Sequence, residues 1–255
     1  MKIGLCVPPE YAVMVKDVID YAEPSLAQIS RMTDEEFKNT KSLLMDNGVP
    51  TLASNCFLRG DMFLYGDKAN TDYILEYTKS VLDRASQLGI HSCVLGSGES
   101  RNVPEGVNYQ DGLKLIDEVI YKIGDIASGY STDIIIEPLN SGETNVVNTV
   151  AEGAEMVRRI NHPNIWLLAD TYHMSFTNES YDVIAKNGDI LKHIHVANPK
   201  GRAYPVDESE CDYTSLKNVL KSIGYDLCIS IEGNHNGQFV EHTTQSIAFL
   251  KKVFC

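Results

Sequence analysis

Four apolar runs in the second half of the chain end in a side chain that can bind a metal or move a proton. The runs and their polar residues are IIIEPLN with Glu137, WLLAD with Asp170, HIHV with His193 and His195, and ISIEG with Glu232. A carboxylate is costly to desolvate unless a cation or several donors meet it, so its place at the end of an apolar run requires a partner. Such residues could bind a divalent metal or serve as acid and base.

Convergence of these side chains would demand a cation. Three carboxylates and an imidazole in a low-dielectric environment repel one another and force protonation unless a cation neutralises them. Three oxygen donors and one nitrogen suit Mn²⁺, Mg²⁺ or Co²⁺ better than an ion that prefers thiolates, with Zn²⁺ as an alternative. We predict one divalent ion, Mn²⁺ before the others, bound by Glu137, Asp170, His195 and Glu232. His195 is preferred to His193 because both face the same way and His195 lies nearer the strand end.

The metal-binding hypothesis depends on these residues occurring together. Any one of them alone fits a structural role, such as an ion pair of Glu137 with a lysine or a core His193 bonded to a carbonyl. Their recurrence at four successive strand ends favours a site.

Eight short apolar runs alternate with amphipathic segments along the chain. The predicted strands are 2–7, 20–26, 50–57, 92–96, 133–139, 165–170, 190–196 and 227–233. The predicted helices are 12–18, 34–47, 71–88, 111–127, 149–160, 178–187, 214–222 and 242–253. Strand runs that are apolar throughout indicate burial on both faces, as in a parallel sheet covered by helices.

This alternation predicts an α/β protein of one domain, a (β/α)₈ TIM barrel over residues 1–255. The rival is an open doubly wound sheet, but no G-x-G-x-x-G follows the first run, and GSGES at 96–100 follows the fourth. In a barrel the polar residues at the carboxyl ends of strands form the functional face. The last four strands are neighbours, so their terminal side chains can meet.

Composition narrows the class of partner. The formal net charge of −13 argues against a nucleic-acid partner, because such binding relies on Lys and Arg. The first residues lack the apolar core of a signal peptide, and no run approaches a membrane span, so we expect a cytoplasmic protein without a membrane partner. The six cysteines form no C-x-x-C pair and are expected to be reduced.

The chain resembles the xylose isomerase-like barrel superfamily, in particular the sugar phosphate isomerase/epimerase group that includes the D-tagatose and D-psicose 3-epimerases. The resemblance runs from KIGLCV to ISIEG and includes EPLNSGE, the Asp-x-x-His of Asp170 and His173, and the loop GSGESRNVP. It implies the same four metal ligands named above, substrate contacts by Glu143, His173 and Arg202, and pairing of two barrels. The loop after the metal histidine reads ANPKGR and departs from the epimerases, so the sugar is left open.

These residues predict an isomerase or epimerase that transfers a proton on a keto sugar or sugar derivative. A proton beside a carbonyl is too weakly acidic for an unaided carboxylate, so the metal would polarise the carbonyl and hold the developing enediolate. Glu137 and Glu232 would exchange the proton as base and acid. Arg101 could bind an anionic group of the substrate, although an ordinary ion pair explains it equally well. Solvated or surface positions also explain Glu143 and Arg202.

Three other functions fit parts of the pattern. A metal-dependent lyase or dehydratase acting on an oxidised sugar, inosose or glycoside shares the same proton abstraction. An abasic-site endonuclease shares the barrel, but it would need extra histidines on the early strands, where this chain has Asn55, Cys56 and Gly96. A binding barrel without catalysis is disfavoured because all four ligand types are present.

Overall fold

Eight parallel strands form one sheet in the computed structural model, which describes residues 1–255. They are β1 Lys2–Cys6, β2 Tyr21–Glu23, β3 Ala53–Ser54, β4 Ser92–Leu95, β5 Asp133–Ile136, β6 Ile165–Asp170, β7 Leu191–Val196 and β8 Cys228–Ile231. Each lies within one of the eight predicted runs. The predicted strand content is therefore confirmed; β6 matches its run, and the other seven strands are shorter than the apolar runs that contain them.

The sheet curls into a nearly closed barrel. Its order is β2-β1-β8-β7-β6-β5-β4-β3, and every neighbouring pair is parallel. The two edge strands approach each other through the isolated bridges Ala22–Thr51 and Ser25–Asn55. The predicted (β/α)₈ barrel is confirmed, and β5 to β8 are neighbours as the prediction required.

Eleven helices cover the outside of the barrel or shape its loops. They are α1 Pro9–Met14, α2 Leu26–Ile29, α3 Asp34–Asp46, α4 Thr71–Leu88, α5 Gly98–Arg101, α6 Tyr109–Ser128, α7 Val150–Ile160, α8 Thr171–Thr177, α9 Asp182–Lys186, α10 Tyr213–Ser222 and α11 Phe239–Phe254. Local signals fix several ends: Thr33 and Glu36 form a capping box before α3, and Gly89 ends α4 at a φ of 82°.

Two predicted helices differ in the structure. Within the predicted helix 178–187 only α9, Asp182–Lys186, is helical, because Asn178 adopts a left-handed φ of 51° and ends the preceding helix α8 there. The predicted helix 12–18 begins earlier, at Pro9, because proline suits the first turn of a helix. Helix α8, which the sequence pattern did not predict, follows Asp170 directly.

Two apolar clusters support the site. The larger contains most of the buried apolar residues of the sheet and helices, and the smaller consists of Val94, Ile135 and Leu168. Side chains two residues apart in a strand point to the same face. The small cluster therefore occupies the layer directly beneath Gly96, Glu137 and Asp170. All six cysteines are free, and no helix is both long and apolar enough to cross a membrane.

Candidate active site

Four side chains from the last four strands meet at the carboxyl end of the barrel. Donor atoms of Glu137, Asp170, His195 and Glu232 all lie within 4.8 Å of one another. His195 Nδ1 is 3.1 Å from Glu137 Oε1 and 3.4 Å from Glu232 Oε2. The structure brings together the same four residues that the sequence pattern selected.

Strand register sets this convergence. Asp170 pairs with His195 across β6 and β7, and His195 pairs with Ser230 across β7 and β8. Glu232 follows Ser230 by two residues, so its side chain leaves the backbone one layer higher on the same face. It is accordingly the most exposed of the four, at 19%, whereas the side chain of Glu137 is 6% exposed.

The carboxylates crowd one another electrostatically. Burial, followed by the charges of Glu137 and Glu232, raises the pKa of Asp170 to about 7. Burial and the charge of Glu232 also raise the pKa of Glu137. For Glu232, burial alone would raise the pKa, but His195 and Arg202 lower it to about 2. This crowding is what a cation in the group would relieve.

The donor set fits a divalent cation. Asp170 Oδ1 accepts a hydrogen bond from the Tyr172 backbone N–H at 2.8 Å, which caps α8, while Oδ2 is buried without a hydrogen-bond partner. Glu137 Oε2 occupies the space in which a Cβ on residue 96 would fall, which only glycine leaves free. Three carboxylates and one imidazole are donors that Mn²⁺ and Mg²⁺ accept.

His173 lies beside this group in a fixed orientation. Its Nδ1 accepts a hydrogen bond from the Asn140 backbone N–H at 3.1 Å, so the hydrogen of the neutral ring lies on Nε2. Nε2 is buried without a hydrogen-bond partner, 3.6 Å from Asp170 Oδ2. Burial lowers the pKa of His173 to about 3, and the charge of Arg202 acts in the same direction. The ring therefore presents one N–H donor to the site.

Asn140 is a residue that the sequence analysis missed. Its Oδ1 accepts from the Gly142 N–H at 2.9 Å, which turns its amide NH₂ towards His173 Nδ1 at 3.0 Å and Glu143 Oε1 at 2.9 Å. Asn140 thus connects two predicted substrate contacts. Glu143 itself is 43% exposed at the mouth of the site.

Arg202 reaches the same carboxylates from the loop after β7. Its guanidinium pairs with Glu232 and lies 3.5 Å from Asp170 Oδ2 and 4.0 Å from Glu143 Oε1. It also stacks over the ring of Tyr172, 4.8 Å from the centroid. The predicted arginine therefore lies in the site and is not an ordinary surface charge.

Arg101 is placed differently from the prediction. Its side chain is fully buried, and Nη2 donates to the backbone carbonyl of Glu137 at 2.9 Å. Burial lowers the pKa of Arg101 to about 10. The guanidinium therefore contacts the backbone at the end of β5, and its predicted contact with substrate stays a prediction. The helical turn α5 carries the side chain inward, which the loop sequence did not reveal.

A fifth carboxylate, Glu23, was also missed. It ends β2, is fully buried, and contacts both strand histidines: His193 Nε2 at 2.8 Å and His195 Nε2 at 3.0 Å. The available signal was the same one used for the other strands, a carboxylate closing an apolar run. The run DYAEPSL is short and interrupted by Pro24, so the pattern was weak there.

Fold and site together define a parallel β/α barrel with a candidate divalent-metal centre at the carboxyl ends of its strands. The chain belongs to the xylose isomerase-like TIM barrel family, whose model matches residues 17–253. It is 26% identical to a D-psicose 3-epimerase of Agrobacterium fabrum over 222 residues, which cover 84% of this chain and 74% of that protein. Five further curated relatives match over less than half of their own length.

Solved structures share the fold over almost the whole chain. A D-allulose 3-epimerase from Methylomonas sp. in complex with D-allulose superposes with a TM-score of 0.85 at 19% identity and covers 100% of this chain and 97% of that one. A 3-keto-D-glucoside 4-epimerase from E. coli gives a TM-score of 0.83 at 18% identity, with 99% of each chain covered. The comparisons identify the chain as an enzyme of this family.

Proposed function

We propose that this enzyme is a divalent-metal-dependent epimerase or isomerase of a keto sugar or sugar derivative. The observation that carries the proposal is the cluster of three carboxylates and one imidazole within 4.8 Å at the carboxyl ends of β5 to β8. Two of the carboxylates are glutamates long enough to reach a bound substrate. The relatives named as sugar epimerases support the same reaction class.

Glu137, Asp170, His195 and Glu232 would hold the ion, which we propose to be Mn²⁺, with Mg²⁺, Co²⁺ and Zn²⁺ as alternatives. When bound, the ion supplies a Lewis acid that polarises a carbonyl oxygen of the sugar. Asp170 and His195 are almost completely buried, so they would serve as ligands alone.

Glu137 and Glu232 would move the proton. They come from β5 and β8, the first and last strands of the group, so their carboxylates approach the centre from different sides. One removes the proton beside the carbonyl and the other returns a proton. Return to the opposite face of the same carbon inverts it, whereas return to the neighbouring carbon exchanges ketose and aldose. A positioned acid or base contributes about 10²–10⁴-fold in rate.

The remaining polar groups would orient the sugar. His173 offers the Nε2 hydrogen, Arg202 offers its guanidinium hydrogens, and Glu143 offers carboxylate oxygens at the mouth. A hydroxylated substrate can pair with all three kinds of group, and contacts to the charged ones are stronger than neutral hydrogen bonds. This arrangement suits a polyol chain with a carbonyl at the metal.

The test is solvent isotope exchange. The enzyme loaded with Mn²⁺ is incubated in D₂O with a panel of ketoses, phosphorylated ketoses and 3-keto-glycosides, and the products are analysed by NMR and mass spectrometry. We expect an isomeric sugar that carries one deuterium at the carbon beside the carbonyl. Release of a leaving group would replace the proposal with a lyase, and cleavage of an abasic oligonucleotide would replace it with a nuclease. Absence of exchange with every sugar would also contradict it.

Two matched variants test whether the exchange depends on the candidate site. Glu232→Gln keeps the size of the side chain and should lower the rate of exchange about 10²–10⁴-fold. Glu118→Gln removes a carboxylate from an exposed position on α6 and should leave exchange unchanged.

A further inference from the structure

Glu23 lies inside the barrel, where both oxygens of its carboxylate have partners. Its side chain has no exposed surface. Oε1 is 3.0 Å from His195 Nε2, and Oε2 is 2.8 Å from His193 Nε2 and 2.5 Å from Ser230 Oγ. A buried carboxylate is tolerated only when such partners meet it, so this group of side chains is a built arrangement.

The hydroxyl groups in this arrangement have a defined direction. An ionised carboxylate only accepts hydrogen bonds, so Ser230 Oγ donates its single hydrogen to Glu23. The hydroxyl oxygen of Tyr21 is 2.6 Å from Ser230 Oγ. Because the hydrogen of Ser230 is already donated to Glu23, Tyr21 must donate to Ser230. The ring of Tyr21 is fully buried. A Cβ on residue 4 would lie 2.2 Å from Tyr21 Cζ, so the ring fits there only because residue 4 is glycine.

The same reasoning fixes the imidazole of His195. Because Glu23 accepts at Nε2, that nitrogen carries the hydrogen, and Nδ1 is directed at Glu137 and Glu232. Two edges of one ring therefore have separate partners. Nε2 contacts the carboxylate of Glu23 on β2, a strand across the barrel from β6. Nδ1 faces the candidate metal centre.

We propose that Glu23 is a positioning residue that orients His195 for metal binding, with His193, Ser230 and Tyr21 holding Glu23 in place. This inference rests on the proposed function, because it assigns Glu23 a role toward the same ion. A carboxylate that receives the remote N–H of a metal-binding histidine sets the ring orientation and the donor strength of the other nitrogen. Loss of such a partner costs about 10–100-fold in metal affinity or activity.

The first experiment measures the dissociation constant for Mn²⁺ by electron paramagnetic resonance. Glu23→Gln should raise it about 10–100-fold. Tyr21→Phe should raise it far less, because Ser230 still donates to Glu23. Asp117→Asn is the matched control: Asp117 is also a largely buried, paired carboxylate, but its partner is Arg159 on the outer helices. Its Mn²⁺ affinity should equal that of the wild type.

The second experiment observes His195 directly in the metal-free protein labelled with ¹⁵N-histidine. We expect a downfield, slowly exchanging Nε2–H resonance, assigned by its loss in His195→Gln, and we expect Glu23→Gln to abolish or strongly shift it. An unchanged resonance together with an unchanged Mn²⁺ constant would overturn the role of Glu23.

The two experiments separate the two hypotheses. If the wild type binds no divalent ion, the proposed function fails, while the Nε2–H resonance still decides whether Glu23 orients His195. If Glu23→Gln does not fold, Ser230→Ala replaces it, because it removes one donor to Glu23 and leaves both imidazoles. That variant should weaken Mn²⁺ binding more than Tyr21→Phe does, and equal affinity in the two would contradict the proposal.

Discussion

Glu137 Oε2 lies where a side chain on Gly96 would begin: a Cβ built on Gly96 would be 2.3 Å from that oxygen. No real Cβ tolerates this distance, so in Gly96→Ala the Glu137 carboxylate must shift from its place in the cluster. We predict that Gly96→Ala weakens Mn²⁺ binding about 10-fold or more and lowers kcat, because ligand and acid/base share this group. Metal titration and steady-state kinetics check both effects.

The control for this prediction is Gly60→Ala. The nearest atom to a Cβ at residue 60 is 3.9 Å away, an ordinary contact, and the backbone there is not left-handed. We expect unchanged metal affinity and kcat. Wild-type Mn²⁺ affinity in Gly96→Ala would show that the Glu137 carboxylate is free to move without loss, which contradicts its assignment as a ligand.

The two glutamates of the cluster should each be required for turnover. We expect Glu137→Gln and Glu232→Gln to lower kcat by about 10²–10⁴-fold, because an amide neither removes nor returns a proton. The double variant should be little worse than either single variant, since both groups serve one proton transfer. Circular dichroism verifies the fold, and a variant that keeps more than a tenth of wild-type kcat would exclude that glutamate as acid or base.

Removal of metal should both inactivate and destabilise the enzyme. Treatment with EDTA leaves three carboxylates with oxygens within 4.8 Å of one another, and we expect activity to vanish and to return with Mn²⁺. Mn²⁺ at about 100 times its dissociation constant adds about 2.7 kcal/mol to the stability of the folded state. For a chain of this size that amounts to a rise of about 5–10 °C in Tm. Asp170→Asn should lose most of this rise, and an equal rise in that variant would mean that Mn²⁺ binds elsewhere.

Asn140 should matter for substrate binding rather than for chemistry. Asn140→Ala removes the amide that reaches both His173 and Glu143, while the backbone N–H still holds His173 Nδ1. The variant loses three side-chain hydrogen bonds, and displacement of one substrate contact worth about 1–1.5 kcal/mol corresponds to about a 10-fold rise in KM. Asn39→Ala, on the exposed face of α3, should leave KM unchanged. A fall in kcat with constant KM would instead place Asn140 in the proton transfer.

The features that the sequence predicts correctly are those in which one local signal repeats along the chain. The eight strands were predicted because each lies in an apolar run, and a run that is apolar throughout is typical of a strand buried on both faces of a parallel sheet. Glu137, Asp170, His195 and Glu232 were found because each closes such a run, and the parallel arrangement brings those ends together. The helix predicted over 178–187 starts too early, because the left-handed backbone of Asn178 ends α8 there and α9 begins only at Asp182.

Other residues carried no readable signal. Arg101 looked like a loop cation, but helix α5 turns it inward beneath Glu137. Asn140 is one of many loop asparagines, and its role depends on a contact with His173, 33 residues away. Glu23 and His195 are 172 residues apart, so only the folded chain shows that they are bonded.

The sequence by itself determined the barrel and the four side chains at its carboxyl end, because hydrophobic periodicity and the polar residue that ends each strand are local properties of the chain. The tertiary structure alone decided how those side chains are oriented. Ring direction, carboxylate placement and the space beside Gly96 depend on atoms from distant strands, and no local pattern encodes which of them will meet.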